Sequence, residues 1–418
     1  MRFYIPVAAL CLLTAAQAQT EWAKHDSNPV FVKWGLMETY AIGQPTNLYE
    51  NDTFKMWYTA CAVDHRGRVF RANSLDGIHW TRANLGLPVL DIGSPGSWDQ
   101  KWLDTPEVLH DQTGYRMLYY GDTTDQPAPI GGLGSALGLA TSADGLAWTK
   151  DSVNPVFRKD TALSWQNLWV ESPALLFVND TLRMWYSAVA YEPGRLLVRI
   201  GYAWSLDGRD WTRLPTPAID LGLPGAFDDM WAAVPAVIRR DSLYEMWYSA
   251  VSFADQAAND TIDTLRIGYA TSTDGVNWSK YSEPVFSTFS PPYRPEADSG
   301  GPWAPDVVFD GSRYRMWYET KFGFGYAVTS STATEEPRVS GPVLAPPDAT
   351  IVRGVLFLEG DCPRTGTVPK AALLDISGRK VLVLCPGAND VSRLSPGVYF
   401  IQCGRPRSES FERVVLTR

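Results

Sequence analysis

A proline stands eleven residues before a methionine at five places in the chain: Pro45/Met56, Pro106/Met117, Pro173/Met184, Pro235/Met246 and Pro305/Met316. Trp-Tyr follows the Met in four of them, and Leu118-Tyr119 in the second. A second marker, Ser-x-Asp-Gly-x-x-Trp, closes the first four repeats at Ser74–Trp80, Ser142–Trp148, Ser205–Trp211 and Ser272–Trp278. A period of roughly 65 residues restricts the fold to one made by repeating a single supersecondary unit.

The third repeat is the clearest. Ala174–Val178 is a short apolar run, Asn179-Asp180-Thr181 a turn, and Leu182–Ser187 alternates. Arg199–Trp204 makes a third strand, Asp207-Gly208 a tight turn, and Trp211–Arg213 a fourth strand. Four antiparallel strands per repeat describe a propeller blade. Seventeen Trp and nineteen Tyr among thirty Pro and thirty-four Gly agree with short aromatic strands joined by tight turns. Asn51-Asp-Thr and Asn259-Asp-Thr echo the turn at Asn179; all three are glycosylation sequons, but their recurrence favours turn chemistry. The fifth repeat stops after its third strand, Phe324–Thr329. Its outer strand is expected from the start of the chain, where Trp22–Phe31 resembles Trp148–Phe157. The expected fold class is all-β, a five-bladed β-propeller followed by a small C-terminal β-sandwich.

The chain divides accordingly. Residues 1–18 read as a signal peptide, with basic Arg2, an apolar stretch from Ile5 to Ala16 and a small-x-small site at Ala16-Gln17-Ala18. Residues 19–331 carry the propeller and 332–348 a linker rich in Pro, Thr and Glu. Residues 349–418 carry the sandwich, with turns at Ser377-Gly378-Arg379 and Ser395-Pro396-Gly397. No apolar run is long enough to span a bilayer. A net charge of −9 argues against nucleic acid as a partner. Cys362, Cys385 and Cys403 crowd the tail, where an exported protein permits a disulfide whose pairing the sequence leaves open. The tail is similar to the C-terminal sorting domain of the type IX secretion system, on Leu374-Asp-Ile-Ser-Gly-Arg-Lys-Val381, Leu394-Ser-Pro-Gly-Val-Tyr-Phe-Ile401 and a last strand ending in Arg418. That resemblance implies the export machinery as a partner and a secreted or outer-surface location.

In a propeller the first strand of each blade lines the central channel, so residues beside each repeated Pro converge on one axis. Two before the Pro stand Gly43, Asp104, Glu171, Ala233 and Trp303. A structural position should hold similar residues in every copy; this one holds two acids in adjacent blades. Carboxyls meeting among Trp102, Trp169, Trp231 and Trp303 suit glycosidic bond cleavage, in which one donates a proton to the leaving oxygen and another activates water or attacks carbon. Glu171 is the expected acid and Asp104 its base or tuning partner. Asp306, just after the fifth Pro, is a third catalytic candidate, and the four tryptophans with Gln44 are the expected substrate contacts.

Glu171-Ser-Pro173 is similar to the Glu-x-Pro acid motif of five-bladed glycosidases of families 32, 43, 62 and 130, and Trp303-Ala-Pro-Asp-Val307 to a motif of family 43. The resemblance spans about residues 20 to 330 and implies a glycosidase acting on a poly- or oligosaccharide. Such enzymes usually carry an Asp just before the Pro of the first blade; here Gln44 stands there. Glu38, Asp99 and Asp228 are further acids to weigh as its replacement. The substitution keeps a second reading open, a non-catalytic glycan-binding propeller. A third, phosphorolysis, would draw on Arg66, Arg68 and Arg71. No cofactor is called for; a channel of this kind can hold Ca²⁺, but no run of oxygen ligands points to one. The protein is expected to be a monomer.

Overall fold

In a computed structural model, the structure describes residues 21–123, 134–192, 194–257, 265–290 and 299–329, and in the tail 349–352, 355–358, 371–374, 379–384, 387–395, 397–403 and 410–416. The signal-like segment and the linker lie outside them. The chain forms two compact units, Met1–Ala333 and Thr334–Arg418. Among the described residues no helix is long and apolar enough to cross a membrane.

The first unit begins with β1 (Trp22–Lys24) and β2 (Phe31–Val32). Five antiparallel repeats follow, four of them with four strands of their own. Repeat 1 holds β3 (Ala41–Glu50), β4 (Thr53–Cys61), β5 (Gly67–Ser74) and β6 (Thr81–Arg82). Repeat 2 holds β7 (Trp102–Asp111), β8 (Gly114–Asp122), β9 (Ala136–Ser142) and β10 (Thr149–Lys150). Repeat 3 holds β11 (Trp169–Val178), β12 (Thr181–Glu192), β13 (Arg195–Ser205) and β14 (Thr212–Arg213). Repeat 4 holds β15 (Trp231–Arg240), β16 (Leu243–Val251), β17 (Arg266–Ser272) and β18 (Ser279–Lys280), with β19 (Phe286–Ser287) beside β17. Repeat 5 holds β20 (Trp303–Phe309), β21 (Tyr314–Thr320) and β22 (Gly323–Thr329). Its fourth strand is β1, which pairs antiparallel with β22 through Trp22 opposite Thr329. The first strands touch in cyclic order: β3 lies against β7, β7 against β11, β11 against β15, β15 against β20, and β20 against β3.

The Met-Trp-Tyr marker follows from strand alternation. Met and Tyr point to one face of the second strand and Trp to the other, so each sheet is apolar on both sides. Trp57 of repeat 1 packs with Met117 and Tyr119 of repeat 2, and Leu118 of repeat 2 with Met184 and Tyr186 of repeat 3. Trp185 then packs with Met246 and Tyr248, Trp247 with Met316 and Tyr318, and Trp317 with Met56 and Tyr58. All of these side chains are buried, so the core lies in the seams between repeats.

Polar locks sit at the same seams. In the Ser-x-Asp-Gly-x-x-Trp turn, Asp76 Oδ1 accepts the backbone N–H of Ile78 and His79, both at 2.8 Å, and Ser74 Oγ accepts that of Gly77 at 2.9 Å. The Gly carbonyl of the turn then receives an indole N–H from the preceding repeat: Trp57 on Gly145, Trp185 on Gly275 and Trp317 on Gly77, at 2.8–2.9 Å. Repeat 5 has no such turn, and Trp247 Nε1 is buried without a partner, as is Nε1 of Trp22 packed edge-on against it at 6.1 Å. The likeness of Trp22–Phe31 to Trp148–Phe157 also has a physical basis. Asn28 donates to Tyr318 Oη and Tyr326 O and accepts from Tyr326 N; Asn154 does the same with Tyr119 and Leu139.

In the second unit, β23 (Ala349–Val352), β29 (Ser410–Leu416), β28 (Gly397–Cys403), β25 (Ala371–Leu374) and β26 (Lys380–Leu384) form one sheet in that order. A second sheet pairs β24 (Val355–Leu358) with β27 (Gly387–Asp390). Cys362, Cys385 and the side chain of Cys403 lie outside what is described, so the disulfide stays open. Cys61 is a free, buried thiol.

Candidate active site

Each first strand carries the same irregularity. The pairing register slips between the residue two before the Pro and the residue after it, at Gly43/Thr46, Asp104/Glu107, Glu171/Ala174, Ala233/Ala236 and Trp303/Asp306. The residue between, just before the Pro, is left-handed in all five: Gln44, Thr105, Ser172, Val234 and Ala304 have φ from 43° to 54°. A bulge of this kind bends the strand and re-aims its side chains. It also takes one N–H out of the ladder, and a buried N–H needs another acceptor. In four repeats a side chain of the preceding repeat supplies it. Gln44 N donates to Glu319 Oε2 at 3.0 Å, Ser172 N to Thr105 Oγ1 at 3.1 Å, Val234 N to Ser187 Oγ at 2.8 Å, and Ala304 N to Ser249 Oγ at 2.9 Å. In repeat 2, Thr105 N turns to Asp104 Oδ1 at 2.8 Å.

The bulges divide the acids into two groups. On the side where the first strands begin stand Asp104 and Glu171. Asp104 Oδ2 accepts the indole N–H of Trp102 at 3.0 Å, and Trp169 hydrogen-bonds Glu171. A third carboxyl joins them from β21: Glu319, opposite Trp303 in the ladder. All three keep a little surface open while the protein encloses them on most sides. That enclosure disfavours the charged form, pushing Glu171 up to about 7 and Glu319 up to about 7, with the Asp104 charge adding to both. Burial raises Asp104 as well, against the hydrogen bonds from Trp102 and Thr105. Gly43 makes room for the group, since a Cβ there would sit 2.6 Å from Glu319 Oε2. Trp231 and Trp303 meet edge-to-face with centroids 6.0 Å apart, and Trp231 Nε1 donates to Leu196 O at 2.9 Å.

Asp306 is on the other side of its bulge. It shares a cavity of about 390 Å³ with Glu107, lined by the five prolines and the later halves of the first strands, Gln44 among them. Asn47 Nδ2 donates to Asp306 Oδ2 at 2.8 Å, while Glu107 accepts from Leu175 N at 3.0 Å and from Thr46 Oγ1 at 2.9 Å. Burial pushes Glu107 up to about 7, and burial with the Glu107 charge holds Asp306 well above the carboxylate range. The structure thus brings Asp104 and Glu171 together and sets Asp306 apart. Of Gln44, the backbone N–H is what reaches the carboxyl group.

The other acids weighed as a replacement at the first Pro serve the scaffold. Glu38, Asp99 and Asp228 each accept the hydroxyl of the Tyr twenty residues on, Tyr58, Tyr119 and Tyr248, and Gln166 does so for Tyr186. The last residue of the outer strand completes each lock: Arg82 on Glu38, Lys150 on Asp99, Arg213 on Gln166 and Lys280 on Asp228. Arg68 is spent on Asp64 and Asp91, both at 2.8 Å. Arg71 binds the Asp144 carbonyl and lies over Trp57. Among the described residues no group of three His, Cys, Asp or Glu side chains is placed to hold a metal ion.

Glu319 escaped the alignment on Pro because it lies on the second strand. Alignment on Met exposes it: three residues after Met56, Met117, Met184, Met246 and Met316 stand Thr59, Tyr120, Ser187, Ser249 and Glu319, a single charged occupant. Glu107 and Asp306 likewise stand out against Thr46, Ala174 and Ala236 just after the Pro.

No family model matches the chain. An uncharacterised protein of Mycobacterium tuberculosis is 27% identical over 275 residues, covering 64% of this chain and 79% of that one. A 1,2-beta-oligomannan phosphorylase of Thermoanaerobacter sp. is 28% identical over 137 residues, 31% of this chain and 42% of that enzyme. Among solved structures, a glycoside hydrolase superposes with TM-score 0.57 at 17% identity, over 81% of this chain and all of the other. A thermostable family-43 glycoside hydrolase gives 0.52 at 20%, over 73% and 96%. A structure from the family-130 mannoside phosphorylases, described as containing hydrolases that target β-1,2-mannosidic linkages in Candida mannan, gives 0.55 at 17%, over 74% and 93%. The chain therefore has the all-β fold of propeller-type glycoside hydrolases.

Proposed function

We propose that residues 19–331 form one closed five-bladed propeller that hydrolyses glycosidic bonds of a poly- or oligosaccharide, with Glu171 as general acid and Asp104 as its base or tuning partner. The observation that carries this reading is the meeting of Asp104 and Glu171 at the start of the first strands, each bonded to a tryptophan, with Glu171 pushed up to about 7 so that it holds a proton near neutrality. The cyclic contact of the five first strands supports the closed ring. The Thermoanaerobacter relative brings phosphorolysis into consideration, but the engagement of Arg68 and Arg71 with other partners favours water as the acceptor. Export by way of the signal segment and the tail, with residues 349–418 as sorting domain, belongs to the same proposal and rests on sequence. The test is hydrolysis of a panel of aryl glycosides and oligosaccharides by the wild type, Glu171→Gln and Asp104→Asn. Loss of oligosaccharide turnover in both variants is expected, since an alkyl leaving oxygen needs the proton of the acid. Undiminished activity in them would remove the assigned roles, and glycan binding without turnover by the wild type would favour the non-catalytic reading that Gln44 leaves open.

A further inference from the structure

The acid expected before the first Pro is missing, yet a carboxylate occupies its neighbourhood. We infer that Glu319, reaching in from β21 of the fifth repeat, is the base that activates the attacking water, and that Asp104 tunes the two glutamates between which it lies. This rests on the glycosidase reading above.

Three observations converge on Glu319. Its carboxylate is anchored on the backbone N–H of Gln44, the residue standing where an Asp is expected, at 3.0 Å. Gly43, the residue two before that Pro, has no side chain, and the space a Cβ would fill holds the Glu319 carboxylate. The equivalent positions in repeats 1, 3 and 4 are Thr59, Ser187 and Ser249, and the two serines accept the amide of the next repeat as Glu319 does. A hydroxyl suffices for that amide bond. A carboxylate costs desolvation in the same place, raising Glu319 to about 7, and the amide alone does not account for it. The Asp104 charge acts on both Glu171 and Glu319, so Asp104 sits between them electrostatically.

The chemistry balances with one acid and one base. Glu319 carboxylate takes a proton from water as the water oxygen bonds the anomeric carbon. The bond from that carbon to the glycosidic oxygen breaks, its electron pair going to the oxygen, which takes the Glu171 proton. One water is consumed, Glu171 is left ionised and Glu319 protonated, and exchange with solvent resets both. Asp104 raises both glutamates and exchanges no proton in this scheme.

The experiment uses the full chain and the best-cleaved member of a panel of alkyl glycosides and disaccharides, whose leaving oxygens need the proton of the acid. Glu319→Gln retains an oxygen for the Gln44 amide, so a purely structural role predicts near-normal kcat, whereas loss of the base lowers kcat roughly 100-fold or more. Glu319→Ala with sodium azide should regain turnover and yield a glycosyl azide, because azide attacks carbon without needing its proton removed. Gly43→Ala, which pushes the carboxylate aside, should lower kcat with an unchanged unfolding midpoint. Loss in Glu171→Gln with full activity in Glu319→Gln overturns the inference and leaves the glycosidase reading standing. Full activity in Glu171→Gln, or no cleavage of any glycoside by the wild type, removes that reading and Glu319 with it.

Discussion

Glu171 and Glu107 have similar elevated affinities for a proton, for the same first cause, and opposite consequences. Glu171 faces the tryptophan-lined side, and its charged form is disfavoured by burial and by the Asp104 charge. As a proton donor it fails when it ionises, so kcat/KM on an aryl glycoside should fall as pH rises past about 7. Removing the Asp104 charge lowers the Glu171 pKa, so in Asp104→Asn the alkaline limb of a pH profile should move to lower pH. An unmoved limb would disconnect the two residues. Glu107 lies in the cavity beyond the bulges, and its cost is to stability. Its folded pKa of about 7 exceeds the ordinary 4.5, so the folded state binds the extra proton. The stability it contributes is present below about pH 4.5 and is lost as pH rises to about 7. Glu107→Gln should therefore raise the thermal midpoint at pH 8 and leave it nearly unchanged at pH 4, the gain reaching about 3 kcal/mol at most. Equal gains at both pH values would mean that Glu107 is not held protonated.

At the scale of the element, the repeated bulge decides which side chains meet. The proline was visible in the sequence; the left-handed residue before it was not, because prolines disfavour helical conformations in the preceding residue and nothing about Gln, Thr, Ser, Val or Ala announces a positive φ. A smooth strand would turn Trp303 and Asp306, three residues apart, to opposite faces; the extra residue of the bulge sets them against Glu319 and Trp317, two apart, so that both face one way at different levels of the strand. What parts Asp306 from the acids two before each Pro is its level along the strand, beyond the bulge, in the cavity with Glu107, a depth that residue alternation in the sequence does not reveal. Asp104 and Glu171 were legible because alignment on a fixed backbone marker exposes a residue that varies without structural reason. Glu319 needed a second alignment, on the neighbouring strand. The bulges are held by their acceptors, and Ser187 and Ser249 are buried completely. Ser187→Ala or Ser249→Ala orphans the amide of Val234 or Ala304, with an expected loss of about 1–3 kcal/mol in denaturant unfolding. A negligible loss in both would mean that the bulge needs no such anchor.

Across the whole molecule, seams carry the stability, and they are not equal. The strand pattern, the four-strand repeat and the outer strand donated by the N-terminal segment could all be read from periodicity, since alternation forces Met and Tyr to one face and Trp to the other. What periodicity could not give is the consequence at the seam between repeats 4 and 5, where, with no Asp-Gly turn in repeat 5, Trp247 and Trp22 keep unpaired indole N–H groups. This inequality can be measured. Trp185→Phe and Trp247→Phe remove similar volumes, but the first also breaks a hydrogen bond to Gly275 O, leaving that carbonyl with Trp278 Nε1 alone. Trp185→Phe should be the more destabilising, by about 1 kcal/mol in denaturant unfolding; equal losses would mean that the indole bonds contribute nothing to the seams.

The proton on Glu171 is the centre of the functional reading, and leaving-group dependence measures it directly. In Glu171→Gln, cleavage of a 2,4-dinitrophenyl glycoside, whose leaving phenolate needs no proton, should stay near the wild-type rate, while cleavage of the matching alkyl glycoside or disaccharide should fall by roughly 100-fold or more. Equal loss on both substrates, or no loss on either, would contradict the assignment of Glu171 as the acid.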